Sequence, residues 1–162
     1  MGSVKKKTRQ KALLIETAWE VCNQVGGIYT VVRSKIPEMV RYWDTDFFLI
    51  GPYYPHNIAS DFDYAEPENP IINNAVTACR NKGLEVHVGQ WLVSGRPQTV
   101  LFNPDSVMHK LGEIKYFYWQ HHNIDFKNYD PLMDQVLAFG YMVYEFISEL
   151  ARNCMESETE LI

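Results

Sequence analysis

Apolar residues in this chain fall into short unbroken runs and longer helical repeats, and the two kinds alternate. Residues 12–17 (ALLIET) and 47–50 (FFLI) are runs of strand length without polar alternation, which suits strands buried on both faces of a parallel sheet. Between them, after a loop that ends in Gly26-Gly27, the positions Ile28, Val31, Val32, Ile36, Met39, Val40 and Trp43 recur at helical spacing. Pro37 interrupts that stripe, so the helix is expected to break near 34–36 and to restart with Pro37 in its first turn. Strand, glycine turn, helix and second strand make a βαβ unit, closed by Gly51-Pro52.

Residues 53–69 are polar and aromatic with two prolines and read as a loop. Residues 70–82 read as a helix with Pro70 near its start and Gly83 as its stop. Residues 85–93 and 98–102 are strand-like, and Ser94-Gly95-Arg96-Pro97 between them is a hairpin turn signal. Residues 105–128 read as short helical pieces and loop around the pair His121-His122. Asp130-Pro131 then opens a long helix through Leu150, with Leu132, Val136, Leu137, Val143, Ile147 and Leu150 on its apolar side. The pattern is α/β, with a mostly parallel sheet and helices outside it.

Composition agrees with one globular domain: 162 residues, 46% hydrophobic and 22% charged. The basic residues at 1–10 (Lys5, Lys6, Lys7, Arg9) read as a solvated tail, and 154–162, with Glu156, Glu158 and Glu160, as a frayed acidic one. The folded domain is then expected at 11–153. A net charge of -5 argues against a general polyanion binder such as a nucleic-acid coat, while a local phosphate site stays open. No apolar run approaches membrane-span length and no secretory signal is evident, so the expectation is a soluble, cytoplasmic protein. Cys22, Cys79 and Cys154 form no CxxC pair and read as buried thiols.

The Gly26-Gly27 turn is the one local feature with a chemical mechanism attached. Glycines let a backbone approach a ligand, and a helix N-terminus offers free N–H groups and partial positive charge to a phosphate. The same pair also serves a tight turn for steric reasons alone, and the pattern is neither GxGxxG nor a P-loop. Glu16 and Glu20, at the end of the first strand, are open to two readings: carboxylates for acid/base or hydroxyl binding, or caps for the following turn. His56, His87, His109, His121 and His122 lack metal-ligand spacing, so no metal is expected.

Read together, LLIETAWEVCNQVGGIYTVVRSK, FFLIGPY, GLEVHVGQWLVSGRPQTVLFN and YDPLMDQVLAFGYMVYEF resemble, in order, blocks of the eukaryotic-type glycogen synthases. In that family a first strand ends in E-x-A-x-E-V and leads through a Lys/Arg-V-G-G-I-Y loop into a helix. The resemblance implies a Rossmann-like open sheet forming part of the N-terminal domain of a GT-B fold. It also implies a retaining glucosyltransferase that moves glucose from a nucleotide sugar, UDP-glucose or a relative, to an α-1,4-glucan. No cofactor or divalent metal is implied, and a homo-oligomer is left open.

Only the first part of that N-terminal domain is resembled; the H-x-H-E-W segment and the second domain have no counterpart, so no catalytic residue carries over and the chain alone is expected to be inactive. What carries over is the nucleotide-sugar phosphate loop, Gln24, Gly26 and Gly27. Its basic position is here the neutral Gln24, which can hydrogen-bond a phosphate without neutralising it. The alternative is a non-catalytic module derived from the fold that binds glucan or another subunit.

Overall fold

A computed structural model describes residues 11–58, 60–126 and 130–162. The expected basic tail, with Lys5, Lys6, Lys7 and Arg9, lies outside the described residues. In chain order the elements are β1 (Ala12–Thr17), α1 (Gly27–Trp43), β2 (Phe47–Pro52), α2 (Pro55–Ile58), β3 (Phe62–Tyr64), α3 (Pro70–Asn81), β4 (Val86–Trp91), β5 (Gln98–Phe102), α4 (Leu111–His122), α5 (Pro131–Glu156) and β6 (Glu160–Leu161). Among the described residues they form one six-stranded sheet in the order β3-β4-β5-β2-β1-β6. Strands β6, β1, β2 and β5 run parallel, while β4 and β3 are antiparallel additions at one side. This is the Rossmann-like open, mostly parallel sheet that the sequence implies.

The unalternating strands are explained by the two cores. Side chains alternate across a strand, and in β2 Phe47 and Leu49 join Tyr29, Val32 and Ile36 of α1, whereas Phe48 and Ile50 join the core under α3 and α5. Every residue of β2 is therefore buried. The β4–β5 hairpin and the α3 helix, capped by the Asn69 side chain on Ile71 N at 3.0 Å, form where expected.

Several expectations are corrected. Pro37 does not break α1, which runs unbroken over 17 residues; burial of Tyr29 and Val32 before the proline and of Ile36 beside it anchors the helix on the sheet, so packing outweighs the lost hydrogen bond. Gly51-Pro52 continues β2 instead of ending it, because both residues still pair with β5, opposite Leu101 and Phe102. The stretch 53–69 is not all loop: Phe62 is buried and its strand pairs with β4. Residues 111–122 form a full helix, α4, with Ile114 as its one buried residue. The acidic end is not frayed. α5 extends to Glu156 with Cys154 buried, and β6 pairs with β1 through Glu160 N to Lys11 O at 2.8 Å and Ile162 N to Leu13 O at 2.9 Å.

Candidate functional site

β1 delivers the chain at Thr17 to the carboxyl edge of the parallel strands, where ligands collect in open α/β sheets. The turn that follows begins where Ala18 N donates to Ile50 O (3.1 Å), and it tightens through Val21 N to Ala18 O (3.2 Å) and Asn23 Nδ2 to Trp19 O (3.1 Å). Val21 and Cys22 are buried against α1, whereas residues 24–28 are exposed. The turn thus pushes Gln24, Gly26 and Gly27 outward on a fixed base.

The start of α1 is held by Glu20. Its carboxylate, 8% exposed, accepts the N–H of Gly26 at 2.7 Å and that of Tyr29 at 3.0 Å. The N-cap residue, Gly26, has no side chain with which to cap, so Glu20 supplies the acceptor from six residues upstream. A carboxylate at the positive end of a helix is electrostatically favourable. The two glycines consequently differ. A Cβ on Gly26 would meet Glu20 Oε1 at 3.3 Å, so its bareness makes room for the cap; around Gly27 nothing lies within 4 Å, and its backbone faces open space.

Of the two readings for the carboxylates, capping is what Glu20 does. Glu16 is not brought to the turn and pairs with Lys35 Nζ of α1 at 2.5 Å. Gln24, three residues before Gly27, is a neutral, exposed amide. All three cysteines are buried, and burial pushes the Cys22, Cys79 and Cys154 thiols up, Cys79 to about 12, which disfavours the thiolate form. Among the described residues no group of three or more His, Cys, Asp or Glu side chains could hold a metal, and no helix is long and apolar enough to cross a membrane.

Sequence reasoning missed the recess beside the turn. Trp19, Asn23, Val25, Tyr54, Leu132 and Val136 line an apolar hollow of about 440 Å³. Leu132 and Val136, expected on the core face of the last helix, are instead 59% and 43% exposed here, because the first turns of α5 overhang the loop. Trp19 is wedged edge-on between Tyr54 (5.9 Å) and Phe139 (5.4 Å), and Tyr54 donates to Gln135 Oε1 at 3.1 Å. Burial, helped by the charge of Asp105, lifts the Tyr54 hydroxyl to about 12, so it stays a neutral donor. Farther along the same edge, Tyr53 stacks on His87 at 3.7 Å and shares a hydrogen bond of 3.0 Å with Tyr64, while His87 Nε2 contacts Glu85 at 2.8 Å. The signal that could have found this edge was the aromatic density just after β2.

The end of the first strand, the glycine turn and the helix it starts lie within the segment that known proteins share. The sequence model of the glycogen synthase family matches residues 16–162. Liver glycogen [starch] synthase of Rattus norvegicus is 37% identical over 138 residues, covering 85% of this chain and 20% of the relative. Glycogen [starch] synthase of Neurospora crassa is 32% identical over 150 residues, 93% of this chain and 21% of the relative. Isoform 1 of Saccharomyces cerevisiae is 33% identical over 151 residues, 88% and 21%. The chain thus spans about a fifth of the length of the curated relatives it matches. Since the match runs from inside β1 to the last residue, the chain belongs to the glycogen synthase family.

Proposed function

We propose that this chain forms one wall of the donor cleft of a cytoplasmic glycogen-synthase-type glucosyltransferase. In that reading residues 11–162 are part of the N-terminal Rossmann-like domain of a two-domain GT-B enzyme. The enzyme moves glucose from UDP-glucose or a related nucleotide sugar to an α-1,4-glucan. The observation that carries the reading is the Gly26-Gly27 turn at the carboxyl edge of β1, inside the segment that matches the family.

Within such a cleft, Gly27 would let the donor diphosphate approach the first N–H groups of α1, and the Gln24 amide would add a neutral hydrogen bond. The hydroxyl of an acceptor glucan would have to be aligned with the anomeric carbon from across the cleft, and fixed positive groups opposite would meet the developing diphosphate charge. The described residues of the turn supply neither. Glu20 already satisfies two of the helix N–H groups with a negative charge, and Gln24 offers no cation in return. That pairing supports a second reading, a non-catalytic module that keeps the fold to bind glucan or another subunit.

A transfer assay with labelled UDP-glucose separates the readings. The isolated chain should incorporate no label into glycogen, as wild type or as Gln24→Arg. A chimaera in which residues 12–162 replace the matching segment of the rat liver protein should be active, and Gln24→Arg within it should raise turnover by about tenfold or more. A chimaera that folds but stays inert even with Gln24→Arg would favour the non-catalytic module.

A further inference from the structure

We propose that the cleft between α1 and the β4–β5 turn is a separate anion site, which takes a small phosphate monoester on Arg33. The cleft, of about 280 Å³, is lined by Thr30, Arg33, Ser34, Val93 and Ser94. No carboxylate lines it, and the Arg33 guanidinium, like that of Arg96, has no ion-pair partner among the described residues, whereas Arg41, Arg80 and Arg152 are each held by a glutamate. A cation beside hydroxyl groups calls for an oxyanion.

The geometry is preorganised from both sides. The guanidinium carbon of Arg33 lies 5.3 Å from the centroid of the Tyr29 ring. Tyr29 is itself fixed, its N–H on Glu20 and its ring edge-on to the buried Trp91 at 5.5 Å. The opposite wall is seated just as firmly. Gly95, at φ 93°, lies so near α1 that a Cβ there would meet Ile36 Cγ2 at 3.0 Å and Pro37 Cα at 3.3 Å, so the turn that carries Ser94 is seated against the helix that carries Arg33.

Donor chemistry narrows the ligand. Ser34 Oγ spends its proton on Val31 O at 2.8 Å, so the Thr30 and Ser94 hydroxyls and the guanidinium fork are the donors left for an anion. A fork plus two hydroxyls matches a tetrahedral oxyanion, since guanidinium binds phosphate through paired N–H bonds. The cleft is roomier than a single phosphate ion requires, and Val93 gives an apolar wall for the carbon side of an ester. Arg33 stands six residues beyond Gly27, about 9 Å of helix rise, so the two sites are distinct.

The test is an NMR titration of the full, ¹⁵N-labelled 162-residue chain at constant ionic strength with inorganic phosphate, glycerol phosphate and UDP. Saturable shifts at the amides of Thr30, Ser34 and Ser94 are expected, with the monoester binding at least as tightly as inorganic phosphate. Arg33→Gln should weaken binding about tenfold, and Arg33→Lys, which keeps the charge and loses the fork, by less. Ser94→Ala should weaken it measurably and serves if an Arg33 variant loses its fold. UDP should leave the phosphate shifts in place. Shifts that never saturate, that concentrate at residues 26–28, that survive Arg33→Gln in a folded chain, or that UDP abolishes would each overturn the proposal.

Discussion

Gly51 is bare because Val21 fills the space beside it: a Cβ on Gly51 would lie 2.6 Å from the Val21 carbonyl oxygen and 2.7 Å from the Val21 Cβ. Both partners are buried, Val21 wholly, and neither end can yield cheaply. Gly51→Ala should therefore destabilise the chain by about 1–3 kcal/mol, the ordinary cost of overpacking. Denaturant unfolding measures the loss, and amide shifts concentrated in the turn 18–26 would locate it. A change within about 0.5 kcal/mol, the range of neutral surface substitutions, would contradict the close approach.

The cap at Glu20 is separable into charge and hydrogen bonding. Glu20→Ala removes both and should cost about 1–2 kcal/mol, while Glu20→Gln keeps one acceptor and should cost about half as much. Thermal unfolding should follow, at roughly 2–4 °C per kcal/mol for a chain of this size. Equal losses for the two variants would mean that the carboxylate charge contributes nothing.

Pro37 invites the opposite change. An interior helix proline costs about 3 kcal/mol, of which the stiffer unfolded chain returns at most about 1. Pro37→Ala should restore an N–H to the Arg33 carbonyl and raise stability by about 2 kcal/mol, read as a higher melting temperature. A fall would show that the stiffness proline gives the unfolded chain outweighs the missing bond.

Acid should loosen the contact between α3 and α5. Lys82 bridges Glu145 (2.6 Å) and Glu149 (2.8 Å), and these hydrogen bonds hold the lysine well above its usual range and Glu149 below the usual carboxylate range. A lowered carboxylate contributes stability above its ordinary value near about 4.3 and loses it as pH falls through the lowered one; a raised lysine contributes below about 10.4 and loses it only above its raised value. Since Lys82 is half open to solvent, the pair contributes about 1 kcal/mol. Glu149→Gln, which also releases Arg152 from its 2.6 Å bond, should be less stable than wild type by at least that amount at pH 7, and the gap should close below about pH 4. A gap that persists in acid would assign the effect to packing.

What could be read from the chain was whatever a doubly covered sheet dictates locally. The runs 12–17 and 98–102, Pro70 in the first turn of α3, the Asp130 cap on the N–H two residues ahead and the glycine turn all carry their own signal. β3 has one buried residue and exists through its pairing with β4, so three residues of sequence could not announce it. α4 buries Ile114 alone and has no apolar period to detect. Leu132 and Val136 obey the helical stripe, yet they line the recess beside the turn. Glu20 caps across six residues, longer than the three-residue spacing of a capping box, so its sequence position left acid/base chemistry open beside the capping role.

The outer strands of the sheet have a bearing on how copies of this chain meet. β3 is three residues long and β6 two, and β6 with Ile162 covers the ladder of β1 from Lys11 O to Ile15 N. Without that strip, β1 would offer its unpaired amides as a template for a neighbouring molecule, the route by which open sheets recruit one another into aggregates. Glu156, Glu158 and Glu160 stand exposed around the strip and would repel a second copy approaching there. A chain shortened before residue 160 should therefore self-associate through β1, the strand that carries the glycine turn, more readily than the chain that keeps β6.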